Sequence, residues 1–416
     1  MNYKTQAMYV LTAALALPTA GEAQSVFGKK ILETARAKQV QQSRVKSVFD
    51  EQRPELDAQG VNAGAFNVQA GVNVATEFDD NIFATETNEE SDVIVKIRPE
   101  VSAVSTWSRH ELTAMAYVED NQYLDNSGED YTDFGGQISG RLDVATNSYA
   151  TAGVGFAQRH EDRDDPSATS TASEPTEYDD FSANIGYTHA VGKVYAAGRV
   201  NYNELDYDNG TTLAGTGINN DDRDRDRTDY IAEVGYATTP NSRAFVRGTY
   251  TDVSYDANNP GLVRDSDGFE IALGAASDIT SHVNAQGYVS YLNRDYDDIS
   301  FDEIDTIGFG GKVLWRVSRL TSIEGQADRR IRETTVNGSS GLLQTGFNAE
   351  IQHELTRAVR LKANAGYIFS EFEDTNREDD NYRVGIGADY ALNRHVRAGA
   401  DYQFRTRNSN TTGNDY

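Results

Sequence analysis

Val283-Asn284-Ala285-Gln286-Gly287-Tyr288-Val289-Ser290-Tyr291 alternates apolar or small residues with polar ones along its whole length. A period of two marks a strand whose two faces meet different surroundings. The same period recurs in seventeen segments: 65–78, 93–106, 109–122, 131–145, 148–160, 179–189, 192–206, 227–238, 242–255, 267–277, 281–296, 304–317, 321–335, 343–355, 358–372, 380–392 and 395–408. Almost no helical period lies between them. The pattern predicts an all-β fold, a transmembrane antiparallel up-and-down β-barrel.

Composition agrees with that class. The chain has 416 residues, of which 38% are apolar; soluble domains usually hold about 45–50%. It nevertheless carries 23 Tyr, 16 Phe and 35 Gly. Disordered chains are poor in aromatics, whereas a membrane barrel needs apolar residues at alternate positions only. The chain has no Cys, which excludes disulfides, thiolate metal sites and a Cys nucleophile. A net charge of −27 argues against nucleic acid as a partner, because phosphate contact needs clustered basic residues.

The N-terminus predicts the compartment. Lys4 precedes an apolar run from Ala7 to Ala20, and Gly21-Glu22-Ala23 places small residues before Gln24. This reads as a secretory signal over 1–23, cleaved near Ala23. The run is shorter than the ~20 residues of a spanning helix. Residues 24–64 form a basic leader. Val26, Phe27, Ile31, Leu32 and Ala35 recur at helical spacing among Lys29, Lys30, Arg36, Lys38, Arg44 and Lys46, up to Arg53-Pro54. Two readings stand for it: a periplasmic helix or plug entering an acidic lumen, or a partly ordered leader before the barrel at 65–416.

The connections alternate strictly between short, such as Thr356-Arg357 and Asn393-Arg394, and long, such as 79–92, 161–178 and 207–226. Outer-membrane barrels have short periplasmic turns and longer external loops. A periplasmic N-terminus makes the first connection external, and it is long. The long loops are acidic, as in Glu161-Asp162-Arg163-Asp164-Asp165 and Asp221-Asp222-Arg223-Asp224-Arg225-Asp226. They suit a cell surface bearing lipopolysaccharide. An odd count of seventeen leaves one place open, since single-chain bacterial barrels have even strand numbers. The expectation is an eighteenth strand after Tyr416, absent here. A miscounted strand and a parallel closing pair are the alternatives.

The two faces differ in kind. One carries Val95, Ile97 and Val101; Ala244, Val246 and Tyr250; Phe269, Ile271 and Leu273; Val396, Ala398 and Ala400. The other carries Lys96, Arg98, Glu100, Arg141, Arg199, Arg247, Lys312, Arg316, Arg330, Arg360, Lys362 and Arg397. Burying so many charges in a dry core would cost several kcal/mol each, and about eighteen strands enclose an aqueous interior. The charged set is therefore assigned to the pore lining and the apolar set to lipid. The arginines either form a basic rung that selects anions or pair across strands with luminal carboxylates. Strand-end Tyr such as Tyr187, Tyr236 and Tyr390 suit interfacial girdles.

Catalytic motifs are missing from the sequence: it contains no Gly-x-Ser-x-Gly, His-Glu-x-x-His or phosphate-binding glycine loop. No catalytic residues, metal site or cofactor are predicted. Clustered loop carboxylates match no spaced calcium loop.

The stretch from Arg53-Pro54-Glu55 through Gly60-Val61-Asn62-Ala63-Gly64-Ala65-Phe66 to Asp79-Asp80-Asn81-Ile82-Phe83-Ala84, with Ser105-Thr106-Trp107-Ser108-Arg109-His110 at the first short turn, resembles the outer-membrane β-barrel porin 2 family. The resemblance runs from about residue 53 to the end. It implies a Gram-negative outer-membrane barrel, inserted by the barrel-insertion machinery and often associated with exopolysaccharide export systems. It offers no catalytic residues to carry over. The expected function is a hydrophilic route across the outer membrane, for exported polysaccharide or for small solutes. The alternative is a structural barrel with an occluded lumen, acting through its acidic external loops. Oligomeric state is not legible.

Overall fold

Alternating residues can satisfy their backbone groups in a membrane only if every strand finds two neighbours, and the pairings follow that demand. The computed structural model describes residues 8–15, 45–239, 241–256 and 263–416. In chain order the strands are β1 Met8–Leu15, β2 Val61–Ala63, β3 Phe66–Asp79, β4 Asp92–Ser105, β5 Glu111–Tyr123, β6 Tyr131–Ala145, β7 Ser148–His160, β8 Glu177–Val191, β9 Val194–Tyr207, β10 Gly210–Thr211 and β11 Gly217–Ile218. They continue with β12 Arg225–Thr239, β13 Ser242–Tyr255, β14 Ser266–Thr280, β15 Val283–Tyr296, β16 Ile304–Trp315, β17 Thr321–Arg332, β18 Leu342–Glu354, β19 Val359–Phe372, β20 Glu378–Ala391 and β21 Val396–Ser409. All seventeen predicted strands are present, with ends within about three residues of the expected ones. Each pairs antiparallel with the next, β9 passing directly to β12. The short β10–β11 hairpin sits in the long connection between those two.

The open place is filled from the other end of the chain. The backbone of β1 pairs antiparallel with β21 (Met8↔Gln403 to Leu15↔Val396) and with β3 (Tyr9↔Phe78 to Leu15↔Val72). In this chain a segment within the expected secretory signal lies between those two strand edges, since an open edge pairs with any extended backbone that satisfies its N–H and C=O groups. Residues 410–416 turn back onto β21, where Arg407 and Tyr416 exchange backbone hydrogen bonds of 3.0 and 3.1 Å.

The faces separate as the period requires. On β14, Ile271 and Leu273 are 56% and 68% exposed, while Ala272 between them is fully buried. Val246, Val289, Ile307, Val313 and Ile386 continue this exposed apolar belt, and Tyr187, Tyr236, Tyr250, Tyr291 and Tyr390 lie among it. An exposed apolar belt with aromatics suits contact with acyl chains and headgroups. The helical spacing in 24–44 lies outside the described residues. Residues 45–60 are described, and they hold turns rather than a helix: Leu56 and Asp57 both donate backbone hydrogen bonds to the Arg53 carbonyl, closing a turn over Pro54.

Candidate functional site

Ion pairs dominate the face opposite the apolar belt. Lys96 Nζ lies 2.7 Å from Glu77 on the neighbouring strand, and Lys312 Nζ 2.7 Å from Glu324. Arg98 bridges Glu119 at 2.8 Å and Glu100 at 3.4 Å, with its guanidinium over the Tyr117 ring. Arg141 pairs with Asp143 at 2.8 Å and covers Tyr149. Arg247 meets Glu270 at 3.7 Å and stacks on Tyr288. Arg330, exposed, reaches Asp328 on its own strand at 3.3 Å. The partners of Lys96, Lys312 and Arg247 are diagonal neighbours on adjacent strands, while Arg98–Glu100, Arg141–Asp143 and Arg330–Asp328 lie two residues apart on one strand, spacings that long side chains span. The arrangement is the paired wall rather than a free basic rung. Arg199 and Arg360 differ: among the described residues neither has a carboxylate within ion-pair distance.

One pair spans further. Lys362 on β19 reaches Asp401 on β21 at 2.8 Å, passing over β20 between them. Gly387 on β20 makes this possible: a Cβ there would stand 2.6 Å from Lys362 Cε and closer still to an Asp401 carboxylate oxygen. The glycine serves close approach rather than an unusual backbone angle.

The mouth with the long loops is crossed by one of them. Residues 161–176 leave β7 and reach strands far round the barrel. Ser167 Oγ lies 3.4 Å from Thr334 Oγ1 in the connection after β17. Arg407 of β21 donates to the Asp164 carbonyl at 2.8 Å, Arg405 Nη1 lies 3.5 Å from the Asp164 carboxylate, and Tyr416 donates to it at 3.2 Å. The near end is held by Arg163, bidentate to buried Glu129 at 2.8 and 2.6 Å, and by Glu161, bidentate to Arg223. Burial pushes the Glu161 carboxyl up although Arg223 opposes it, and burial beside Asp162 pushes Asp164 up. His160 stacks on Tyr131 and lies between Asp133 at 3.0 Å and Asp162 at 3.4 Å. A polar cavity of about 120 Å³ adjoins the loop, lined by Lys96, Tyr131, Asp162, Arg405 and neighbours.

The mouth with the short turns holds the leader. Residues 45–60 lie against the wall from β16 to β21. Val48 is 1% exposed; its N–H donates to Ser322 Oγ at 2.9 Å, and that of Phe49 to Gln352 at 3.3 Å. Three carboxylates of the leader each take a wall arginine. Glu51 pairs with Arg316 at 2.6 Å, Glu55 with Arg357 at 2.9 Å and Asp57 with Arg397 at 3.1 Å. Arg360 covers the Phe49 ring at 4.8 Å. Arg53 is buried, with its guanidinium donating to the Arg357 carbonyl at 3.0 Å; burial lowers its pKa and Asp57 offsets this.

Two features escaped the sequence reading. The sequence shows the connection 161–178 as one acidic external loop among several, whereas in the structure Glu161 meets Arg223, and Asp164 meets Arg405 through its carboxylate and Arg407 through its carbonyl, residues that stand far from it in the chain. For the basic leader at 24–64 the sequence offers two readings, a helix or plug entering an acidic lumen and a partly ordered leader before the barrel. Its docked part instead carries Asp50, Glu51, Glu55 and Asp57 against Lys46 and Arg53, and it meets arginines. Local charge, taken over sixteen residues rather than forty, was the signal available.

An antiparallel barrel with an exposed apolar belt and a charged inner wall defines an outer-membrane β-barrel. A family model described as "Putative beta-barrel porin 2" matches residues 53–416, and the chain belongs to that family. Among solved structures it is similar to "Copper transporter OprC" (8% identity, TM-score 0.43, covering 97% of this chain and 82% of that one). It is also similar to the FrpB iron transporter from Neisseria meningitidis (8%, 0.45, 97% and 83%) and to the alcaligin outer-membrane receptor FauA from Bordetella pertussis (8%, 0.44, 97% and 76%). No curated protein matches the chain.

Proposed function

We propose that the protein provides a hydrophilic route across the outer membrane, non-enzymatic, for small polar solutes or a chain of exported polysaccharide. The observation that carries this reading is the contrast of faces. Lys96, Arg98, Arg141, Arg247, Lys312 and Lys362 stand in ion pairs on one face, while the other bears exposed Leu273, Ile307 and Ile386. Paired charges hold a wall rigid and still wet, and a wet lumen passes hydrophilic solutes. Membership of a porin family points the same way. Selectivity and the solute follow from whichever constriction is narrowest. Lipopolysaccharide and the insertion machinery are the partners such a barrel requires.

The second reading is a structural barrel that stays shut and acts through its acidic external loops. The loop across one mouth and the leader in the other favour it. Planar-bilayer recording of the purified protein, intact and with residues 45–60 deleted, separates the two. The route reading expects stepwise ionic conductance at least from the deleted form. Silence from both forms, at protein loads where the barrel is folded and inserted, would sink it.

A further inference from the structure

We propose that the short-turn mouth is a carboxylate-binding site, occupied in cis by residues 45–60, and that carboxylate-bearing solutes enter by displacing this latch. The proposal rests on the route reading above and adds to it a resident competitor and a ligand class.

Three observations carry it. First, the arginines are spent on the leader. Among the described residues, Arg316 and Arg397 form ion pairs with Glu51 and Asp57 and with no carboxylate of the wall. Arg360 has no ion pair at all, and its Nε finds no hydrogen-bond partner although the residue is 7% exposed. Elsewhere on the inner face, Lys96, Arg98, Arg247, Lys312 and Lys362 take wall carboxylates. At this mouth Arg316 and Arg397 thus take their carboxylates from the leader alone, while Arg357 meets Glu55 at 2.9 Å and the wall's own Glu354 at 3.5 Å. Second, the arginines come from three successive short-turn regions, after β16, between β18 and β19, and at the start of β21. Arg397 stands on β21, and Arg316 and Arg357 stand in short turns that join paired strands, so the site persists when the leader leaves. Third, the leader's carboxylates stay in reach of water. Val45, Val48 and Arg53 are buried, while Glu51, Glu55 and Asp57 are 43%, 53% and 36% exposed. Exposed ion pairs contribute little to stability and weaken with salt. A segment held by them exchanges with a solute bearing the same groups at similar spacing. Guanidinium forks match the geometry of carboxylates and phosphates, and the leader groups these three arginines hold are carboxylates, which sets the ligand class.

The chain has no Cys, so a single V48C substitution reports the latch by maleimide labelling in the full-length, membrane-inserted protein. Labelling is expected to be slow in that protein and at least ten-fold faster with E51Q/E55Q/D57N added. Tri-galacturonate should accelerate it in the otherwise unchanged leader, whereas maltotriose should not. Conductance in planar bilayers gives the second readout. The triple leader variant should conduct modestly more than wild type and prefer anions over cations. Adding R316Q/R357Q/R397Q should keep the higher conductance and remove the preference. Labelling at one rate in both backgrounds, or acceleration by maltotriose equal to that by tri-galacturonate, would overturn the proposal. So would an anion preference unaltered by removing the three arginines. A leader that is released on labelling in a barrel that never conducts would leave the latch standing and fail the route reading instead.

Discussion

At the scale of single residues, the charges differ in what they can lose. Glu161 and Arg223 have side chains only 6% exposed and face one another in a bidentate pair. Arg223 also covers the Tyr207 ring. Breaking such a pair by removing one partner leaves a buried charge, at a cost of about 3–5 kcal/mol, whereas replacing both by apolar side chains of like volume is close to neutral. R223M is therefore expected to release loop 161–176, and E161M/R223M to return most of the hold. Tryptic cleavage after Arg163 reads this directly. It should rise on the order of a hundred-fold in the single variant and by far less in the double. Equal rates in the two variants would show that the pair does not hold the loop. The Lys362–Asp401 pair is the contrasting case. It is half-exposed at both ends, so its part is to tie β19 to β21 across Gly387 rather than to add stability.

At the scale of elements, alternation made the strands legible. A strand of fourteen residues such as β13 or β15 offers six or seven repeats of the same choice, and one-residue slips would turn every side chain to the wrong face. Ends were less legible, because rims of the barrel meet water on both faces and the period fades there. The same faces predict how substitutions divide. Leu273 sits at the centre of β14 and is 68% exposed; Thr249 lies on β13, on the face of Arg247. An L273R substitution is expected to destabilise the folded barrel by about 2–4 kcal/mol, the cost of a lipid-facing arginine at the midplane. T249R should stay within about 0.5 kcal/mol, as for a wetted surface change. Urea titration in lipid vesicles, followed by the gel shift of the folded form, gives both values. A larger loss for T249R would reverse the assignment of faces. Non-strand elements were harder to read. Neither the loop nor the leader has a period, and their partners lie 34 to 340 residues away in sequence. Composition gave their charge but not their place.

At the scale of the whole molecule, the odd strand count bears on how the sheet closes. Seventeen spanning strands leave β3 and β21 each with a free edge, and β1 pairs with both. The interior so enclosed is narrowed twice along its length, by loop 161–176 at one mouth and residues 45–60 at the other. Two constrictions on one path act as resistances in series, so their effects combine in a definite way. Shortening the loop between Asp165 and Pro175 to a Gly-Ser link relieves one resistance and leaves the leader to limit the current. Deleting residues 45–60 relieves the other and leaves the loop. Either change alone should raise conductance modestly. Both together should raise it by more than the sum of the two single increments, because only then does the open lumen limit the current. If the loop and leader instead guarded separate paths, the increments would simply add. If one of them lay outside the path, its removal would change nothing in either background. Single-channel recording of the four forms in one bilayer composition and one salt distinguishes these cases. A superadditive increase is the result that places both segments on a single route through the barrel.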